Sequence, residues 1–218
     1  MRPLPASVSL VFAFLGTLSP ALSQERDDER VREGLLVRFT AGAGYARCPL
    51  DGYLEEETVF SGTTLSAEMT VGGVLFPGLA VHGSAWGWDM VFPSLYRRWG
   101  GADDQYTTSD ATARMGAFGA GVTQFLTSGE TYWSLMVGAG FQQMEGPEDT
   151  FPQPIMGLAG RALLGWNWWR RGNWGMGLTA TLDVVRSGAE EEGHLGEDGD
   201  DPGWTSFALT ACFSATYN

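Results

Sequence analysis

The chain has 218 residues, with 31 glycines, 9 tryptophans, 6 tyrosines and 12 phenylalanines, and a formal charge of −13 in which all 13 basic residues are arginine. Glycine without a triplet period excludes collagen, and this much aromatic content excludes low-complexity disorder. Glycine and β-branched residues recurring through the body argue against a helical bundle, and the acidic balance argues against a nucleic-acid partner because phosphate would be repelled. An aromatic, glycine-rich β protein remains.

Residues 1–23 combine an early Arg2, an apolar run from Val8 to Leu18, Pro20 and the small-residue site Ala21-Leu22-Ser23. That pattern reads as a secretory signal peptide cleaved before Gln24, since the run is shorter than the roughly 20 residues a membrane helix needs. Residues 24–33 carry a dense charge run and read as a short disordered periplasmic tail. Residues 34–218 form the third segment, a single domain. Its mean hydropathy, −0.09 over the whole chain, does not argue for solubility, because barrel strands alternate apolar and polar residues and average to near zero.

Period-two alternation, the signature of a strand with one apolar face, recurs eight times. Leu35, Val37, Phe39, Ala41, Ala43 and Tyr45 oppose Leu36, Arg38, Thr40, Gly42 and Gly44; Leu65, Ala67, Met69 and Val71 oppose Ser66, Glu68, Thr70 and Gly72. A third strand runs from Leu79 to about Phe92 and a fourth from about Ala111 to Leu126, and neither has a clear parity because glycines and small residues fall on both faces. The fifth sets Trp133, Leu135, Val137, Ala139 and Phe141 against Ser134, Met136, Gly138, Gly140 and Gln142. The sixth sets Leu158, Ala162, Leu164 and Trp166 against Ala159, Arg161, Gly165 and Asn167. The seventh sets Met176, Leu178, Ala180, Leu182 and Val184 against Gly177, Thr179, Thr181 and Asp183; the last sets Phe207, Leu209, Ala211, Phe213 and Tyr217 against Thr210, Cys212, Ser214 and Thr216.

Connections alternate between short and long. Pro77-Gly78, 127–130 and 170–173 are tight and carry the Gly, Pro or Asn of hairpin turns, whereas 46–64, 93–110, 143–154 and 186–203 are long. Short turns at one end, long loops at the other and both termini at the short-turn end describe an outer-membrane barrel. Aromatic residues fall at both strand ends as two girdles. Phe76, Phe125, Trp133, Trp168, Trp169, Trp174 and Tyr217 make the lower, and Tyr45, Trp86, Trp88, Phe92, Phe141, Trp204 and Phe207 the upper.

On this pattern, residues 34–218 resemble the small eight-stranded outer-membrane barrels of the OmpA-like and OmpX-like superfamily. The last strand, Thr210 to Tyr217, approximates the terminal signal of such proteins but has Cys212 where glycine is expected and Asn218 after the aromatic. The resemblance implies a closed antiparallel eight-stranded transmembrane barrel in the bacterial outer membrane. It also implies contact with outer-membrane lipid and lipopolysaccharide, and handling by the barrel assembly machinery during biogenesis.

An eight-stranded lumen is just filled by side chains. Arg38, Glu68, Arg114, Arg161 and Asp183 are the expected lumen network, with Asn167, Gln124 and Gln142 beside it; buried charges must pair, so the network reads as a salt-bridged plug rather than an ion path. Inward Gly42, Gly44, Gly138, Gly140 and Gly177 are expected to make room for the arginines. The expected function is thus a non-enzymatic surface or structural barrel, the alternative a narrow channel or small-ligand tunnel.

His82 and Ser84, two residues apart and so on one strand face, suggest a nucleophile and base like those of lipid A deacylases, which makes a lipid A-modifying enzyme the second alternative. Against that, the match is three residues long, His82 lies near the short-turn end and no acid is evident on the same strand face, while His194, in an acidic loop, reads as solvated. Glu197, Asp198, Asp200 and Asp201 could hold a divalent cation, but no ordered motif supports one, and no cofactor is expected. Cys48 and Cys212 fall at different heights on adjoining strands and read as free thiols.

Overall fold

The computed structural model describes residues 34–54, 56–99, 102–107, 112–126, 130–145, 155–169, 173–187 and 204–217. The proposed signal peptide and periplasmic tail, His194 and the Glu197–Asp201 acids lie outside them. The strands are β1 (Gly34–Leu54), β2 (Glu56–Phe76), β3 (Leu79–Trp99), β4 (Ala102–Thr107), β5 (Thr112–Phe125), β6 (Thr131–Glu145), β7 (Ile155–Trp169), β8 (Trp174–Ser187) and β9 (Trp204–Tyr217).

All pairings are antiparallel, and the β1–β9 and β2–β3 ladders close the sheet into a barrel of eight strands, with the short β4 added on the upper end of β3. One row of partners runs Trp133, Leu164, Ala180, Ala211, Ala43, Leu65, Asp89, Arg114 and returns to β6 at Gln143, ten residues beyond its start. Eight strands with that stagger, at ~3.3 Å per residue and ~4.8 Å between strands, require a tilt of about 41° and a backbone radius of about 8 Å. The space inside is one side chain deep from each wall.

The alternation read from the sequence sorts inside from outside on β1, β2 and β6 to β9. Outward Leu35, Leu65, Leu135, Leu158, Leu164, Leu178, Leu209 and Phe213 are exposed, while their neighbours Leu36, Arg38, Glu68, Ser134, Arg161, Asp183 and Thr210 are buried. An outer wall of large apolar side chains is stable only against lipid, and the closed ladder leaves no unpaired backbone there. No described helix is long and apolar enough to cross a membrane; the strands are what cross it.

The two strands of unclear parity resolve differently from the girdle expectation. On β3 the even positions point inward, so Trp86 and Trp88, each 4% exposed, belong to the apolar upper interior with Met90 and Met115, not to the upper girdle. On β5 the odd positions point inward; Phe125 is buried and packs on Tyr132 with centroids 5.5 Å apart, away from the lower girdle. Outward Gly83, Ala85 and Gly87 carry too little apolar area to reveal the face of β3 by pattern alone. The exposed Trp133, Trp174, Phe141, Tyr45 and Phe207 do lie on the outer wall, and Trp174 packs edge-on against Tyr217.

The stretches expected as loops at 46–64 and 93–110 are instead mostly strand. β1 and β2 continue their ladder to Leu54 and Glu56, and β3 continues to Trp99 and pairs with β4. Ala46 and Cys48 continue the inward parity of β1, whereas Val59 and Phe60 are both buried on β2 and the inward side of β3 passes from Met90 to Pro93 and Leu95. A break in the β2–β3 register between Ser61 and Thr63 coincides with Phe92, whose φ of 57° precedes Pro93. The Pro77-Gly78 turn closes β2 on β3, and Gly78 adopts a φ of 82° that other residues resist.

Glycine serves close strand approach more than arginine clearance, which corrects the expectation for Gly42, Gly44, Gly138, Gly140 and Gly177. A Cβ at Gly42 or Gly44 would overlap the β9 backbone at Ala211 or Leu209, and one at Gly138 would overlap Phe118 and Gly119. At Gly140 it would press on Ala159, and at Gly177 on Asn167 and Trp166. A narrow, strongly coiled sheet brings inward Cβ positions into the neighbouring strand, and glycine removes the collision.

Candidate functional site

The lumen is crossed by one connected set of charges. Arg38 on β1 donates from Nε (3.1 Å) and Nη2 (2.8 Å) to Glu68 Oε1 on β2. The second carboxylate oxygen of Glu68 receives Arg161 Nη1 from β7 at 3.0 Å, and Arg161 binds Asp183 on β8 through Nε at 2.5 Å and Nη2 at 2.7 Å. Arg161 and Asp183 are direct cross-strand partners, so register alone makes that pair. β2 and β7 stand on opposite walls, which means that Glu68 and Arg161 close the barrel across its full width.

Two guanidinium and two carboxylate groups cancel in charge, and all three ion pairs have side chains fully withdrawn from solvent. Hydroxyls add further contacts: Thr70 donates to Glu68 at 2.7 Å, Arg161 Nη2 reaches Ser66 at 2.9 Å, and Arg38 reaches Thr123 at 3.4 Å and Ser134 at 3.3 Å. Arg38 also lies 5.3 Å from the centre of the Tyr132 ring. Paired and hydrogen-bonded in this way, buried charges avoid the desolvation cost of isolated ions.

Four of the five expected network residues, Arg38, Glu68, Arg161 and Asp183, therefore meet, and Arg114 does not. The inward parity of β5 falls on Ala113, Met115 and Ala117, which puts Arg114 on the outer wall; its Nε donates to Gln143 Oε1 at 3.0 Å, opposite Asp89. Gln124 is likewise off the lumen face, donating to the Phe125 carbonyl, whereas Gln142 and Asn167 are buried inside. The hydroxyls of Thr70, Thr123 and Ser134 were not foreseen as partners. Their inward position was legible for Thr70 and Ser134, but on β5 a clear parity was missing.

His82 and Ser84 are both inward and buried, with Nδ1 to Oγ at 2.9 Å. Ser84 Oγ lies 2.8 Å from Thr70 Oγ1, and Thr70 donates to Glu68, so an acid does stand behind this pair, on the neighbouring strand. Thr70 donating to Glu68 makes Ser84 donate to Thr70 and His82 Nδ1 to Ser84, whereas Thr123 donating to Ser134 and Ser134 donating to the Val122 carbonyl leave His82 Nε2 as the donor on the other side of the ring. The pair is thus one link in a buried hydroxyl chain, and the acid at its end, Glu68, is already neutralised by two arginines.

Cys48 and Cys212 are both free and buried. Cys212 pairs with Gly42, six residues below Cys48 on β1, about 20 Å along the strand and beyond disulfide reach. Among the described residues no group of three or more His, Cys, Asp or Glu is placed to hold a metal ion.

No protein-family model matches the chain, and no curated protein sequence matches it. Solved structures do. Neisserial surface protein A aligns over 85% of this chain and 97% of its own with a TM-score of 0.51 at 10% identity. Ail, the attachment invasion locus protein of Yersinia pestis, covers 84% of this chain and 99% of its own (TM-score 0.41, 16% identity), and the outer membrane protein AlkL covers 91% and 96% (TM-score 0.44, 14% identity). At such identities the likeness concerns the fold. The fold shared with Neisserial surface protein A, together with the apolar outer wall, defines the chain as a small eight-stranded β-barrel of outer-membrane type.

Proposed function

We propose that the protein is a closed, non-enzymatic barrel of the bacterial outer membrane, exported by its signal peptide, with a structural or surface-interaction role carried by its acidic outer loops. The observation that supports this reading is the neutral Arg38–Glu68–Arg161–Asp183 network spanning opposite walls of a lumen about one side chain deep on each side. His82 and Ser84 serve as hydrogen-bonded members of that plug, Ser84 being linked through Thr70 to the neutralised Glu68. Reconstitution in planar bilayers at neutral pH tests the proposal: the wild-type barrel conducts no steady current, and a stable ohmic conductance refutes closure. A His82→Ala strain retains unchanged lipid A acylation by mass spectrometry; altered lipid A would move the chain to the enzymes.

A further inference from the structure

The outer wall carries an arrangement that the plug does not use. At the tilt derived above, each residue climbs about 2.5 Å, so outward Arg47, Arg114 and Arg186 stand within about 2 Å of one height. The apolar wall below them, from Leu35 and Trp174 up to Phe141 and Phe207, spans roughly 25–30 Å, the height expected of a lipid-facing band. The three guanidinium groups thus lie at its upper rim, the headgroup level of the outer leaflet.

Arg47 and Arg186 face one another across β9. Arg186 is the partner of Thr205 and Arg47 the partner of Phe207, which places their Cα atoms about 12 Å apart with the exposed Thr205 beside them. That separation lets both guanidinium groups converge on a single phosphate. Arg114 is held by Gln143 beside Asp89, but neither Arg47 nor Arg186 has an ion-pair partner among the described residues. Two basic groups at the membrane boundary with no ion-pair partner among the described residues suit an anionic ligand.

On the outer wall of β6 to β9, below Arg186 and Thr205, lies a shallow, open apolar groove of about 450 Å³, lined there by Trp133, Leu135, Leu164, Ala180, Leu182 and Leu209. Leu182 lies four residues below Arg186 on the same face of β8, and Leu209 four below Thr205 on β9. A headgroup between the arginines would therefore send an acyl chain down Val184 and Phe207 into the groove.

We propose that Arg47, Thr205, Arg186 and the groove beneath them form a binding site for a phosphate-bearing lipid of the outer leaflet, whose phosphate bridges the two arginines and one of whose chains occupies the groove. The test uses folded protein in dodecyl maltoside, with native mass spectrometry reading retention of dioleoyl phosphatidic acid, dioleoylglycerol as the headless control, and inorganic phosphate as the chainless competitor. Wild-type protein retains phosphatidic acid in preference to dioleoylglycerol. Arg47→Gln/Arg186→Gln, checked for folding by heat-modifiable gel mobility, lowers retention about thirtyfold, the loss of two basic contacts at a membrane surface. Ala180→Phe, which fills the groove without touching the arginines, also lowers it and serves if the double variant does not fold. Undiminished retention by either folded variant, equal retention of dioleoylglycerol, or displacement of the lipid by equimolar phosphate would overturn the site.

Discussion

Replacing Glu68 by glutamine keeps the shape of the side chain and removes the charge that both lumen arginines share. In the wild type the carboxylate meets Arg38 at 2.8 Å and Arg161 at 3.0 Å. Glutamine keeps one acceptor oxygen for Arg38 or Arg161 and turns an NH2 donor toward the other guanidinium; Arg161 keeps Asp183, Arg38 is left without a counter-charge, and the buried charges no longer cancel. Breaking one side of a buried pair in this way costs about 3–5 kcal/mol. Urea unfolding of the refolded barrel in vesicles, followed by tryptophan fluorescence and gel mobility, measures it. Arg38→Met/Glu68→Met removes both partners, leaves the neutral Arg161–Asp183 pair, and is expected to cost less than Glu68→Gln alone. Glu68→Gln within about 0.5 kcal/mol of wild type, or a double variant as costly as the sum of its single changes, would refute the assignment of Glu68 as the shared counter-charge.

Other expectations follow from burial and register. Gly138→Val, whose Cβ would enter the Phe118–Gly119 backbone, blocks folding as judged by gel mobility, while Gly160→Ala, whose nearest contact is Met136 O at 3.8 Å, folds normally. The two thiols react with a maleimide only after unfolding, and mobility is the same with and without reductant; a reductant-sensitive shift would show that Cys48 and Cys212 meet. In vesicles of lipid brominated on its chains, Trp133 and Trp166 are quenched and the inward Trp86 and Trp88 are not, read in variants that retain one pair or the other. Strong quenching of Trp86 or Trp88 would reverse the parity of β3.

Much of this architecture is written locally. Strict alternation in β1, β2 and β6 to β9 declares which side chains meet lipid, because a one-residue slip would exchange every apolar residue for a polar one. Arg38, Glu68, Arg161 and Asp183 were legible as inward charges for that reason, and the long and short connections set the direction of the barrel. Where the outward face is Gly83, Ala85 and Gly87, alternation carries no hydrophobic contrast, and the strand side of Trp86, Trp88 and Arg114 came only from pairing with better-marked neighbours. Which charges touch across the lumen was equally a matter of closure: Glu68 and Arg161 are 93 residues apart and meet because a ten-residue stagger sets β2 opposite β7 at one level. The height at which Arg47 and Arg186 stand together has the same origin, since only the tilt of a closed sheet relates positions on separate strands to the plane of a membrane.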